Sequence, residues 1–176
     1  STEVRSGIVG ATTTAAELGR AFPDVPVVDS SGNHVRERVD STPRLIVATP
    51  GAEPTPESGY ACAVILDAVS SLSRPGLAAV EQTVDRWMAI LALVRSVRDG
   101  GRAVIVGPSE DAALQAMVRN DPVGWATREL ADRREAHFPP AVPCGIVDGD
   151  PKAVATAAQR LREWFGTDLE MLGPAP

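Results

Sequence analysis

The sequence predicts an α/β fold in which a parallel β-sheet carries helices on both faces. Short apolar runs rich in β-branched residues alternate with helical stretches, and each run has the length of a buried parallel strand. The predicted strands are residues 7–9, 25–28, 45–48, 61–66 and 103–106. Five such strands would form one domain.

Helical periodicity fills the segments between these strands. Residues 12–22 form the first predicted helix, with the hydroxyl side chains of residues 12–14 as N-cap candidates and Pro23 as its end. Only residues 32–40 remain for the next crossover, which allows two helical turns at most. The longest predicted helix covers about residues 76–98, where apolar residues recur at three- and four-residue spacing.

A proline-rich segment, residues 49–59, follows the strand at residues 45–48. Its prolines and glycines predict a loop rather than a regular element. Because this loop leaves the carboxyl end of a strand, it lies at the edge where open α/β sheets bind ligands. Any ligand site in the predicted domain is therefore expected beside this loop.

The last third of the chain predicts a helical hairpin and a small β-α-β segment. One helix opens at Pro108-Ser109, and Asp121-Pro122 supplies an N-cap and an N1 proline for a second helix to about residue 136. After a double proline, the predicted elements are a strand at residues 145–147, a helix at 154–165 and a strand at 168–172.

Composition limits the kind of protein this can be. The formal net charge of −6 argues against a surface that coats DNA as a whole, because phosphate binding requires neutralisation by Lys and Arg. Any contact with nucleic acid must be local. No apolar run approaches the ~20 residues of a membrane span, and the N-terminus has no signal-peptide core. We therefore expect a soluble, cytoplasmic protein without a membrane partner.

The cysteines and histidines predict neither a metal site nor a disulfide. Cys62 and Cys144 are far apart and have no second ligand at zinc spacing. Both are interpreted as small buried apolar side chains in a reducing compartment. His34 and His137 stand in polar surroundings without a partner that would make either a catalytic base, so both are interpreted as solvated.

The three tryptophans could serve either as base-stacking platforms or as core residues. Trp87, Trp125 and Trp164 each fall on a helix face with other apolar residues, without a surrounding basic cluster. Core packing is therefore the predicted role of all three.

A nucleotide-cofactor site is one functional hypothesis. Gly7-Ile8-Val9-Gly10 leads into a helix, and Asp29 follows about twenty residues later, as in a dinucleotide-binding βαβ unit. The fit is poor because Thr12 and Ala15 occupy the other two glycine positions. The chain also lacks a Gly-x-x-x-x-Gly-Lys-Ser/Thr phosphate loop. A small Rossmann-type enzyme that binds NAD or a related dinucleotide is the alternative from another class.

Several short motifs occur in an order and at a spacing typical of one protein family. They are TAAEL at residues 14–18, RLIVAT at 44–49, VILD at 64–67, ELADRRE at 129–135 and FPP at 138–140. This series resembles the C-terminal part of the PriA (primosomal protein N′) family of bacterial replication-restart proteins. The resemblance spans nearly the whole chain and places the last two motifs where the second helicase lobe meets the C-terminal domain.

The chain departs from that family at the motifs that handle phosphate. Family motif V continues into Ala-Lys-Gly, whereas here Thr49-Pro50-Gly51 runs into Glu53-Pro54 without a lysine. Family motif VI reads Gln-x-x-Gly-Arg-x-Gly-Arg, whereas residues 89–95 are AILALVR. The arginine finger is therefore lost or displaced.

The resemblance implies a RecA-like second helicase lobe at residues 1–107, a helical hairpin at 108–140 and the start of a C-terminal domain at 141–176. It assigns nucleotide-interface remnants to Thr49, Asp67 and Arg95, and contacts with DNA or a partner protein to Arg133 and Arg134. No catalytic residue is assigned, because the lobe resembles a helicase-incompetent branch.

Partners and cofactors follow from the same resemblance. The implied partners are forked DNA, primosome proteins, among them the loader of the replicative helicase, and single-stranded-DNA-binding protein. No cofactor is expected on this chain, and ATP is expected only for a full-length parent. The implied role is that of a scaffold in replication restart, and the alternative within the family is a helicase lobe with residual nucleotide binding.

Overall fold

A computed structural model describes residues 10–173 of the chain. This part is a mixed α/β structure, as predicted. Its helices are α1 Ala11–Ala21, α2 Ala68–Leu72, α3 Ala79–Ala92, α4 Ala112–Arg119, α5 Pro122–Glu135 and α6 Pro151–Phe165. Its strands are β1 Val27–Ser30, β2 Arg38–Val39, β3 Leu45–Ala48, β4 Thr55–Pro56, β5 Cys62–Ile65 and β6 Arg102–Ile105. The strand predicted at residues 7–9 lies outside the described residues.

The strands of the described part form three parallel pairs. β1 pairs with β3, β2 with β4, and β5 with β6. The register aligns Val27 with Leu45 in the first pair and Cys62 with Arg102 in the third. Parallel pairing was predicted and is confirmed for β1–β3 and β5–β6, whereas β2 and β4 were not predicted and β4 lies in the segment predicted to be a loop. Within residues 10–173, however, the pairs remain separate and do not join into one five-stranded sheet.

Strand boundaries follow backbone donors more closely than apolar runs. β3 occupies residues 45–48, as predicted, whereas β1 begins and ends two residues later than the predicted 25–28. Pro26 has no N–H for a ladder, although its carbonyl accepts from the Leu45 N–H at 2.9 Å. The strand instead continues through two polar residues, Asp29 and Ser30, which an apolar pattern excludes.

The first helix and the long helix both differ in detail from the prediction. α1 is capped by Gly10 without a side-chain hydrogen bond, so the N-cap assignment to residues 12–14 was wrong: these residues lie inside the helix. α3 ends at Ala92, six residues before the predicted end. The chain leaves the helix there because Val94 forms a parallel bridge with Tyr60.

Side-chain caps define the next two helices. The Asp111 carboxylate accepts from the Ala113 N–H at 2.8 Å and the Leu114 N–H at 3.1 Å, which starts α4. Asn120 ends that helix in the left-handed conformation at φ 53°. α5 begins with Pro122 at its first position, as the sequence predicted.

One apolar core lies between α3, α4, α5 and the β5–β6 pair. Its buried side chains include two of the three tryptophans, Trp87 at 3% and Trp125 at 6% exposure, which confirms their predicted packing. Ile65 of β5 and Ile105 of β6 pack against the same cluster. The remaining buried members are Ala68, Val84, Ala113, Leu114, Ala116 and Met117.

The chain divides into two compact units, with the boundary between Arg128 and Glu129. The apolar core belongs to the first unit. In the second, the described residues include no buried side chain. Neither strand predicted there forms: residues 145–147 are irregular, and of the predicted strand 168–172, Asp168 ends a short 3₁₀ turn, Gly166–Asp168, and residues 169–172 are irregular. α6 begins behind the Asp150 cap and Pro151 as predicted.

Three predicted burials are wrong. Trp164, predicted to pack in a core, is 74% exposed. Cys62 and Cys144, predicted to be buried, are both exposed free thiols. Periodicity identifies the apolar side of a helix or strand, but it does not show whether another element covers that side.

Candidate functional site

The carboxyl ends of β1 and β3 form one edge, as their parallel pairing requires. Ser30 ends β1, Ala48 ends β3, and the Thr49 N–H donates to the Ser30 carbonyl at 3.3 Å. Thr49, a predicted remnant of a nucleotide interface, therefore lies at the edge where the sequence placed a ligand site.

The fully buried Ser30 ties three segments together at this edge. Its hydroxyl donates to the Ala52 carbonyl at 2.7 Å and accepts from the Arg36 N–H at 3.0 Å. These bonds join the end of β1, the short crossover and the proline-rich loop. The loop is also held by Tyr60, whose hydroxyl donates to the Pro54 carbonyl at 2.5 Å. Burial, followed by the nearby carboxylate of Glu53, raises the pKa of Tyr60.

Asp29 is the acidic residue of the dinucleotide hypothesis, and its carboxylate is engaged within the chain. Ser31 donates to one oxygen at 2.6 Å and Thr12 to the other at 2.8 Å. These two hydrogen bonds, the Ser31 bond first, hold the pKa of Asp29 below its ordinary value. Thr12, which occupies the second glycine position of the dinucleotide-binding motif, thus donates to the carboxylate that would contact a ribose. The cofactor hypothesis stays a prediction, and the preceding strand lies outside the described residues.

A groove of about 480 Å³ lies between the proline-rich loop and the outer side of α3. Glu53 lines it from the loop, and Gln82, Asp85 and Arg86 line it from the helix. Two carboxylates and one guanidinium give this groove a net negative lining at neutral pH. A phosphate group would meet more repulsion than attraction here, so the groove is not a preformed anion pocket.

The loop side of the groove is fixed by a local hydrogen bond. The Gly51 N–H donates to the Glu53 carboxylate at 2.8 Å. Gly51 has φ +89°, a left-handed conformation that favours glycine. The N–H that could have faced a phosphate is therefore already used by a carboxylate of the chain itself.

Asp67 and Arg95 lie at opposite ends of β5. Asp67 follows the strand and accepts from the Ser70 hydroxyl. Arg95 lies beside Tyr60, before the strand, where its Nε donates to the carbonyls of Ser58 at 3.1 Å and Gly59 at 3.0 Å. Seven residue steps separate Tyr60 from Asp67, which corresponds to about 23 Å of extended chain. The structure thus places these two predicted remnants far apart, and their nucleotide role stays a prediction.

Arg133 and Arg134 differ in their surroundings, although they are adjacent. Arg133 donates from Nε to Glu129 at 2.9 Å and from its terminal nitrogen to the Pro139 carbonyl at 2.7 Å. These bonds connect α5 to the double proline. Arg134 is exposed in the last turn of the same helix. Of the two predicted DNA or partner contacts, Arg134 is the accessible one.

Sequence reasoning missed the residues that shape the groove and the edge. Glu53, Asp85 and Arg86 are ordinary charged residues in a loop and on a helix, and no motif marks them. The role of Ser30 had one visible signal: a serine at the end of a predicted strand, where polar side chains gather in α/β folds. Across residues 10–173, no group of three or more His, Cys, Asp or Glu is arranged to hold a metal.

None of the helices in this range is both long enough and apolar enough to cross a bilayer.

Comparison with known proteins supports the resemblance seen in the motifs. The chain is 43% identical over 174 residues to the probable replication restart protein PriA of Mycobacterium tuberculosis and to that of Mycobacterium bovis. It is 42% identical over 171 residues to that of Mycobacterium leprae. In each case the match covers 97% of this chain and 26% of the relative. No family model and no solved structure matches the chain.

The chain thus spans about a quarter of the length of these relatives, and it corresponds to their C-terminal part. The sequence-based prediction of similarity to PriA is confirmed for this region.

Proposed function

We propose that this chain is part of a PriA-like replication restart protein, in which it serves as a DNA- and protein-binding scaffold rather than as an ATP-driven helicase lobe. The observation that carries the proposal is 43% identity over 97% of the chain to a protein named for replication restart. The arrangement we propose for residues 1–107 is a RecA-like second helicase lobe. Its parallel strand pairs and flanking helices are compatible with this arrangement.

Two degenerate motifs support the proposal that the chain does not take part in ATP-driven unwinding. The motif V region contributes Gly51 and Glu53 to a groove with Asp85 of α3, and a net negative lining opposes phosphate. In the motif VI region, the Arg95 guanidinium is bound to two backbone carbonyls. An arginine finger acts only when its guanidinium reaches the transferred phosphoryl group. Arg95 is thus engaged away from that role, and Arg86, the guanidinium that lines the groove, shares it with the carboxylates of Glu53 and Asp85.

The partners we propose are forked DNA, primosome proteins and single-stranded-DNA-binding protein. The acidic chain requires local basic contacts for DNA, and Arg134 supplies one on an exposed helix turn. Arg133 supports it indirectly, because its bonds to Glu129 and Pro139 fix the end of α5. We assign nucleotide binding to other parts of a full-length parent.

ATP hydrolysis and unwinding of forked DNA by a full-length protein that carries this chain test the proposal. We expect fork binding without ATP-dependent unwinding, and we expect Arg95→Ala to leave ATP affinity unchanged. Arg98→Ala, at an exposed position in the next turn, is the matched control. ATP-dependent unwinding that disappears in Arg95→Ala, with folding intact by circular dichroism, would establish the residual nucleotide interface of Thr49, Asp67 and Arg95 instead.

A charge reversal tests the DNA contact. Arg134→Glu should weaken binding of a forked duplex, because it removes one phosphate contact and adds a repulsive charge. Arg119→Glu, an equal change at an exposed end of α4, should have little effect. Equal losses in both variants would mean that only net charge matters and that Arg134 makes no local contact.

A further inference from the structure

The groove between the proline-rich loop and α3 has two firmly held walls. Pro54 of the loop is fully buried, and the loop is tied down through the Ala52 carbonyl to Ser30 and through the Pro54 carbonyl to Tyr60. The opposite wall is a regular helix with Trp87 buried behind it. A site whose walls are already ordered loses little conformational entropy when it binds a ligand. The volume of about 480 Å³ also falls in the range of roughly 300–1,000 Å³ typical of ligand sites.

Three charged side chains line this groove, and no ion pair neutralises any of them. They are Glu53, Asp85 and Arg86, and the ion pairs found within residues 10–173 involve none of the three. Glu53 accepts from the Gly51 N–H through one of its two oxygens, and Asp85 is exposed. The groove therefore has one surplus negative charge and two carboxylates with unused acceptor positions.

Aliphatic side chains form most of the remaining lining. Ala89, Ile90 and Leu93 come from α3 and its C-terminal end, and Ile90 and Leu93 are half-buried. Lys and Arg side chains have an aliphatic stem that covers apolar surface while the charged end stays near polar groups. Carboxylates beside aliphatic groups thus match a basic side chain. A small inorganic cation would leave the aliphatic lining uncovered.

The other polar groups favour a polypeptide as the carrier of that basic side chain. Arg86 can only donate hydrogen bonds, and the Gln82 amide donates and accepts. A peptide backbone supplies carbonyl acceptors for Arg86, and it supplies both a donor and an acceptor for Gln82. A free polyamine has no acceptor for Arg86 and is repelled by its charge. A nucleic-acid strand would bring phosphates next to two carboxylates.

We propose that this groove binds an extended segment of a partner protein, whose arginine or lysine side chain lies on Ile90 and Leu93 and pairs with Glu53 and Asp85. The inference rests on the proposed function, because it assigns the protein-binding part of the scaffold to this groove. The DNA contact at Arg134 and the peptide contact in the groove then use groups of opposite charge. The two kinds of partner therefore do not compete for the same side chains.

An NMR titration of the isotope-labelled chain with the acetylated and amidated pentapeptide Ala-Ala-Arg-Ala-Ala tests the proposal. We expect saturable shifts of the amide signals of Gly51, Asp85 and Ala89, and similar shifts with lysine at the central position. Glutamine or glutamate at that position should abolish them. Because each signal belongs to a known residue, binding in the groove is distinguished from general attraction to an acidic chain.

Charge-neutralising variants test which groups hold the peptide. Asp85→Asn and Glu53→Gln should each weaken binding about two- to fivefold, the range for exposed ion pairs, and together about tenfold. Arg86→Gln removes a repelling charge but keeps hydrogen-bond donors, so it should strengthen binding. The control combines Asp24→Asn with Glu110→Gln, which neutralises two exposed carboxylates outside the groove and should leave the affinity nearly unchanged. Circular dichroism verifies that each variant folds.

Three results would overturn the inference. Weaker binding in Arg86→Gln with no change in Asp85→Asn would mean that the groove holds an anionic group. Larger shifts of the same signals with spermine than with the pentapeptide would assign the groove to polyamines. A full-length protein that carries this chain should bind the labelled pentapeptide with similar affinity, and loss of binding only there would mean that another part of the same polypeptide fills the groove.

The result for the groove is separable from the result for the proposed function. Absence of peptide binding, together with fork binding without unwinding, would overturn this inference and leave the proposed function standing. ATP-driven unwinding by the full-length protein would overturn the scaffold role. Shifts at Gly51 and Asp85 would in that case still identify the groove as a site for a basic peptide.

Discussion

Three side-chain hydroxyl groups make the hydrogen bonds that connect the segments at the carboxyl edge of β1 and β3. Ser30 connects three segments through one buried oxygen, and Thr12 and Ser31 share the carboxylate of Asp29. None of these residues is recognisable from an apolar pattern. Their importance depends on the partner that the fold brings to each hydroxyl, and a sequence does not show which residues become partners.

Ser30→Ala should destabilise the chain by about 1–3 kcal/mol, because the Ala52 carbonyl loses its donor and the Arg36 N–H loses its acceptor in a buried place. Urea unfolding followed by circular dichroism measures this loss. Ser73→Ala, the same change at an exposed position, should have an effect near zero. A similar midpoint for both variants would show that water replaces the Ser30 bonds without cost.

The stabilising effect of Asp29 should depend on pH in a defined direction. Its pKa in the folded chain is lowered from 3.8 by the Ser31 and Thr12 hydroxyls. The stabilisation is therefore complete above pH 3.8 and is lost as the pH falls through the lower folded-state value. The difference in urea midpoint between the unmodified chain and Asp29→Asn should be constant at neutral pH and shrink in this acidic range. Asp24→Asn, an exposed position, should show no such change.

Helices were predicted more accurately than strands because their signals are local. Asp150-Pro151 and Asp121-Pro122 mark the starts of α6 and α5 within the sequence itself. A strand needs a partner, which local sequence does not contain. Residues 145–147 have the composition of a strand, yet no strand within residues 10–173 pairs with them, and Ile146 is 89% exposed. The two-residue strand β4 contains Pro56. Its proline-rich surroundings predicted a loop, although a partner strand, β2, lies beside it.

The cap of α4 offers a test at the scale of an element. Asp111→Ala removes the acceptor for two backbone N–H groups and should cost about 0.5–2 kcal/mol. The loss of stability should appear in the unfolding of the whole core, since α4 contributes Leu114 and Met117 to it. Glu110→Ala is the adjacent control, because Glu110 caps no helix. A stability change of equal size in the two variants, measured by thermal unfolding, would contradict the capping role.

At the scale of the molecule, the two units are built differently. The first has a buried cluster that includes Val84, Trp87 and Met117, whereas the described residues of the second have no buried side chain. The sequence predicted the mixed α/β class and the similarity to PriA. It did not predict this uneven packing, because the apolar stripe of α6 looks the same in sequence whether or not another element covers it.

Hydrogen exchange should reveal the same difference in packing between the two units. Amide groups in α3 and α4 should exchange slowly, since their exposure requires opening of the core, and those in α6 should exchange faster. Mass spectrometry of peptides from 79–92, 112–119 and 151–165 provides the comparison within one sample. Equal protection of all three segments would show that α6 is as stable as the core helices.

The exposed thiols Cys62 and Cys144 have a practical use that follows from their positions. One belongs to each compact unit, and neither is bonded to the other. Maleimide-linked donor and acceptor dyes attached to these two thiols would report the distance between the two units. Resonance energy transfer would then follow the separation of the two units as an oligonucleotide is added, without any engineered residue.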